Sequence, residues 1–134
     1  MNEEEIEVSR VLISFEQIIE EHSEVLQRLE NLLSFPQIDI DKANLLTKRL
    51  KRLRKEIKKG IDIILKNYQK LARSELKEEA YGICSYLREI GIPDEIELLE
   101  KLRDNARENG YILDLSSDIK EAREFIEKLS QFSF

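Results

Sequence analysis

Tryptophan is absent from this chain of 134 residues, and cysteine, histidine and methionine occur once each, as Cys84, His22 and Met1. A lone cysteine excludes an intramolecular disulfide and a multi-cysteine zinc site, and a free thiol fits a reducing compartment. Four glycines and two prolines are too few for a linker rich in either residue, and they form no phosphate-cradling loop. Residues 1–134 are therefore expected to form a single domain, at a common length for one. No apolar run approaches the roughly 20 residues of a bilayer-spanning helix, so no membrane insertion is expected. The start, Met1-Asn2-Glu3-Glu4-Glu5, is acidic where a signal peptide is basic, and a cytoplasmic location is expected.

The chain is rich in charge, 37% of residues, beside 41% apolar residues. That balance suits helices with charged outer faces around a sizeable core, and it is too apolar for a disordered chain. The excess of Glu, Lys, Ile and Leu is similar to heat-adapted compositions. The net charge of −6 is unevenly spread. Lys48 to Lys77 holds twelve Lys/Arg against three acids, a net of +9. Residues 1–30 hold nine Glu against Arg10 and Arg28, and residues 78–134 hold fourteen acids against seven bases, so each flank is −7.

The apolar residues repeat at helical period. Val8, Leu12, Phe15, Ile19, His22, Leu26, Leu29 and Leu33 are spaced alternately four and three apart, which keeps them on one face of a first helix. A second stripe, Val11, Ile18, Val25 and Leu32, widens that face beyond a two-stranded coiled-coil seam and predicts packing against at least two other helices. Pro36 disfavours helix at Phe35, and Asp39 or Asp41 is placed to cap a second helix. There Leu46, Leu50, Leu53, Ile57, Ile61, Ile64, Tyr68 and Leu71 repeat every eleven residues, close to the pitch of a straight helix. Gly60 lies inside it, at an expected cost of up to about 1 kcal/mol relative to Ala.

At about 1.5 Å per residue the two helices are each roughly 45 Å long, which predicts an antiparallel hairpin between oppositely charged rods. A break near residues 72–74, with Ser74 as a cap, is expected to begin a third helix ended by Gly91. Pro93 is then a first-turn proline with Asp94 and Glu95 as first-turn acids. A fourth helix ends at Gly110, and Ser116 or Ser117 caps a last one carrying Ile119, Ala122, Ile126 and Leu129. The expected fold is an all-α bundle of four or five helices with a long N-terminal antiparallel hairpin.

Few residues invite chemistry. The neighbours of His22 at helical spacing are Ile18, Ile19, Val25 and Leu26, all apolar, so a structural histidine is expected over a metal or catalytic one. Cys84 lies on the Ala80, Ile83, Leu87 side of its helix, the setting of a small apolar filler. The acid pairs Glu78 and Glu79, Asp94 and Glu95, and Asp114 and Asp118 have the spacing of solvated helix faces. No catalytic, metal or cofactor site is assigned, and no enzymatic activity is expected.

The feature with functional content is the basic run Lys48, Arg49, Lys51, Arg52, Arg54, Lys55, Lys58 and Lys59. It predicts a positive strip about 15 to 20 Å long, able to meet several backbone phosphates. Six such contacts would give a salt slope of about −5. The same charges can instead be neutralised by the acidic helices or by a protein partner. No aromatic side chains are interleaved for base stacking. The leading expectation is a protein-interaction module, its own copy among the candidate partners; the alternative is a nucleic-acid-binding accessory subunit. The terminal Phe132 and Phe134 are read either as folding back on the core or as an exposed anchor, resembling in outline the C-terminal clamp-binding peptides of replication proteins.

Leu98 to Tyr111 and Ser117 to Leu129, about a quarter of the chain, resemble the last two helices of HEPN domains, the helical partners of minimal nucleotidyltransferases. Active members are ribonucleases with an Arg, a polar residue and a His at the start of such a helix. Arg103 and Arg107 have no histidine after them, so the resemblance implies a catalytically inactive relative that binds a partner or RNA.

Overall fold

The first apolar stripe becomes α1, Glu3–Leu33, in a computed structural model that describes all residues 1–134. Its start is fixed by a capping box. The Asn2 side chain accepts from the Glu5 N–H at 2.8 Å, and the Glu5 carboxylate accepts from the Asn2 N–H at 3.2 Å. After the turn at Pro36, Asp39 caps α2, Ile40–Asn67, by accepting from the Lys42 N–H at 3.1 Å. All eight residues of the eleven-residue repeat, from Leu46 to Leu71, are buried.

A short 3-10 turn, Tyr68–Lys70, ends the second rod, and extended backbone at Leu71 and Arg73 provides the expected break. Helix α3, Ser74–Tyr86, follows. Ser74 is its first residue and not its cap; Arg73 stands in the cap position, where its N–H donates to Glu5 Oε2 at 3.2 Å. One buried carboxylate thus serves the starts of both α1 and α3.

Gly91 does not end the third helix, contrary to the sequence expectation. The chain passes from α3 through a π turn, Leu87–Gly91, directly into α4, Ile92–Glu108, with Gly91 in helical geometry. The Ile92 N–H reaches back five residues to the Leu87 carbonyl. In regular α geometry the Pro93 ring would press on the Glu89 carbonyl and leave it without a donor, and the widened turn lets the helix run on past it. Helix α4 ends as expected at Gly110, whose φ of 83° suits glycine. Bonds from Gly110 N to Arg107 O and from Tyr111 N to Ala106 O close the end. Neither Ser116 nor Ser117 caps α5, Ser116–Gln131, because Leu115 holds the cap position; Asp114 accepts instead from the Ser116 N–H at 3.2 Å and hydroxyl at 2.7 Å. These bonds, the hydroxyl's first, hold the Asp114 carboxyl below the usual range.

The result is an all-α bundle in which α1 and α2 form the antiparallel hairpin, α3 and α4 return alongside α1, and α5 runs back along α4. No strand is present. The core has two apolar halves. One joins the N-terminal part of α1 to Ile57, Ile61 and Ile64, α3 and Phe125. The other joins Val25, Leu29, Leu50, Leu53, Leu99 and Leu102 near the α1–α2 turn. Phe132 and Phe134 fold back, meeting the Tyr68 ring edge-on at 5.9 and 5.1 Å, with Phe134 also 5.3 Å from Tyr81. The exposed-anchor reading of the tail is thereby set aside.

Gly60 is a contact point and not merely a tolerated weak spot. A Cβ there would fall 2.3 Å from two atoms of the Phe15 ring, which is buried with 1% of its surface exposed and cannot swing aside. Gly60→Ala is expected to destabilise the fold by about 1 to 2 kcal/mol, overpacking outweighing the helix-propensity gain. Denaturant unfolding measures this, and Phe15→Leu in the Gly60→Ala background should recover part of the loss.

Candidate functional site

The two apolar halves are separated by a buried ionic layer to which four helices contribute. Glu95, on α4, accepts at Oε1 from His22 Nε2 of α1 at 2.7 Å and at Oε2 from Arg54 Nη1 of α2 at 2.7 Å. The second nitrogen of Arg54, Nη2, donates to Asp118 at 2.6 Å and Glu121 at 3.1 Å, both on α5. His22 and Glu95 expose no surface, and Arg54 only 4%. Burial by itself disfavours the charged guanidinium; the Glu95 charge and the hydrogen bonds to Glu95, Asp118 and Glu121 outweigh it, and the Arg54 pKa is raised.

A carboxylate can only accept from the ring, so Nε2 carries a hydrogen, and Nδ1 is buried without a hydrogen-bond partner. His22 and Glu95, fully buried, line neither the groove between α1 and α4 nor the groove between α2 and α5. Both are sealed from solvent, and the layer meets the surface only at its α5 end, where Arg54 and Glu121 border the groove between α2 and α5. Its geometry serves to hold four helices in register.

This layer revises the sequence-predicted basic strip. Arg54 is not available to phosphates, because its buried planar fork is spent on three carboxylates, the buried Glu95 and the more exposed Asp118 and Glu121. Arg49 and Arg52 both donate to Glu21 on α1, at 3.2 and 2.9 Å, and Arg52 also lies 3.7 Å from Glu56. The Arg49 hydrogen bond is the main cause of the lowered Glu21 pKa; desolvation opposes it, and the Arg52 hydrogen bond and the charges of both arginines add to the lowering. These half-exposed pairs contribute little to stability. Lys48, Lys51, Lys55, Lys58 and Lys59 remain on the outer side of α2, all exposed and none in an ion pair. Lys51, Lys55 and Lys58 border a groove of about 420 Å³ between α2 and α5, with Glu121 and Glu124 opposite.

No match is found among protein-family models, curated proteins or solved structures. The site is therefore read from its own geometry.

The ionic layer was missed as a unit because its members lie on four separate helices. One signal was nevertheless present: Glu95 continues the α4 stripe Ile92, Leu99, Leu102 and Ala106 at three- and four-residue steps, so its helix places it inward. Pro93, two residues before it, has the look of a helix start, and in that frame Glu95 is equally a first-turn acid. Cys84 fills the core as expected, 1% exposed, and burial pushes its thiol up to about 12, only slightly offset by Arg88.

Two outcomes follow for stability and reactivity. Arg54→Met is expected to cost about 3 to 5 kcal/mol in denaturant unfolding, because three carboxylates lose their buried partner. Combining it with His22→Leu and Glu95→Leu should restore most of that loss. Cys84 should resist alkylation at neutral pH in the folded protein and react at the rate of a free thiol only in denaturant; fast native labelling would show that the α3 core opens.

Proposed function

We propose that this protein is a non-enzymatic helical interaction module that binds an acidic protein surface through the lysine face of α2. The observation that carries this reading is the exposed, unpaired group Lys48, Lys51, Lys55, Lys58 and Lys59 on a chain of net charge −6. Spread evenly, those charges would serve solubility. Gathered on one helix face they give the molecule a positive side that steers acidic partners and suppresses basic ones. Lysine suits this role, since its hydrated ammonium group rests in water at no cost until a partner arrives.

A second reading is a nucleic-acid-binding accessory subunit, consistent with the HEPN resemblance. Its support is the reach of the lysines, about 17 Å along the helix from Lys48 to Lys59, enough to meet several phosphates. It ranks second because Glu121 and Glu124 border the same groove as Lys51, Lys55 and Lys58 and would face the phosphates.

Immobilised polyglutamate and labelled duplex and single-stranded nucleic acids, compared from about 50 to 300 mM salt, separate the readings. Retention on polyglutamate at low salt is expected, with loss in the variant Lys48→Glu, Lys55→Glu, Lys59→Glu. No binding to any polyanion at low salt would overturn the proposal. Preferential duplex binding with a salt slope of about −4 to −5 would transfer the surface to nucleic acid.

A further inference from the structure

Resting on that reading, we infer that the acidic surface received by the lysine face is a groove between α1 and α4 on a second copy of this chain. The groove encloses about 560 Å³ and carries Glu30, Asp94 and Glu97 at its edges. Leu26, Leu33, Leu98 and Tyr86 supply its apolar wall. Glu97 holds Lys101 at 3.0 Å, whereas Glu30 and Asp94 take part in no ion pair within their own chain. The groove therefore has unspent negative charge beside partly covered leucines, which is what an amphipathic basic helix requires.

The outer face of α2 has the complementary pattern. Leu45, Lys48, Arg52, Lys55 and Lys59 step by three and four residues along one stripe. Leu45 is 64% exposed, an apolar knob at the head of a row of cations. The α1 wall of the groove runs from Ser23 to Ser34 and the lysines from Lys48 to Lys59, so both extend about 17 Å. Leu45 can enter among the leucines while the lysines meet Glu30, Asp94 and Glu97.

The geometry also fixes the symmetry. Residues of α1 that face α2, such as Val25 and Leu32, lie on the opposite side of that helix from Gln27 and Glu30, which line the groove. Each copy therefore offers one donor face and one acceptor groove pointing different ways. Such a contact is heterologous and builds a ring or a filament, not a two-fold dimer.

Sedimentation velocity at low and high salt tests this on the full chain. The wild type is expected at twice the 15.8 kDa chain mass or more at low salt, and as a monomer at high salt. Lys48→Glu with Lys55→Glu and Lys59→Glu should remain monomeric at low salt, as should Glu30→Lys with Asp94→Lys and Glu97→Lys. Mixing the two variants should restore assembly, because each then presents the charge the other has lost; circular dichroism checks that both remain helical. A wild type that is monomeric at low salt, or a mixture that stays dissociated, overturns the self-docking contact. Retention of that monomeric wild type on polyglutamate would leave the broader reading standing, whereas loss of both removes the two together.

Discussion

The Glu95 carboxylate, held between Arg54 and His22, is the contact that the arrangement of the helices depends on. A core built only of Leu, Ile and Val accepts alternative registers at modest cost, since one aliphatic side chain packs much like another. A buried carboxylate does not. If any of the four helices slid by a turn, a charge would remain in the interior without its partner, at a cost of several kcal/mol. The layer lies between the two apolar halves, where it sets the register of α1, α2, α4 and α5 together. The ion pairs add little net stability by themselves; what they contribute is discrimination among arrangements.

Arginine and lysine are divided between different tasks on α2. Arg49, Arg52 and Arg54 are directed at carboxylates of α1, α4 and α5, using a planar fork that can hold two or three acceptors. The lysines between them point to water. One helix thus turns its arginines to carboxylates that hold the bundle together and leaves its lysines exposed and unpaired. The acidic composition of the flanks has the same double use, with Glu21, Glu95, Asp118 and Glu121 spent internally and Glu30 and Asp94 left on the surface.

Two places show how a local rule yields to packing. Glycine in a helix ordinarily weakens it, yet at position 60 the missing Cβ lets the Phe15 ring lie against the α2 backbone. Gly91 followed by Pro93 is a stop signal by local chemistry. The π turn absorbs the proline, and the buried stripe Leu87, Ile92, Leu99 and Leu102 continues across it, keeping both sides of the turn on the core.

The sequence by itself determined the all-α class, the helical hairpin, the eight buried residues from Leu46 to Leu71, the break near residues 72–74 and the Gly110 terminus. Each of these follows from spacing or backbone preference within a few turns, and local physics is written locally. It also showed the charge sorting, because composition needs no fold. What only the tertiary structure decided was the use of each charge. Arg54 and Lys55 are neighbours of the same sign, and nothing local assigns one to the interior and the other to solvent; that depended on Glu95, Asp118 and Glu121 arriving from helices forty or more residues away. The fate of Gly91, the need for Gly60 and the return of Phe132 and Phe134 to Tyr68 were likewise decided by partners distant in sequence, because burial and pairing energies belong to the assembled core.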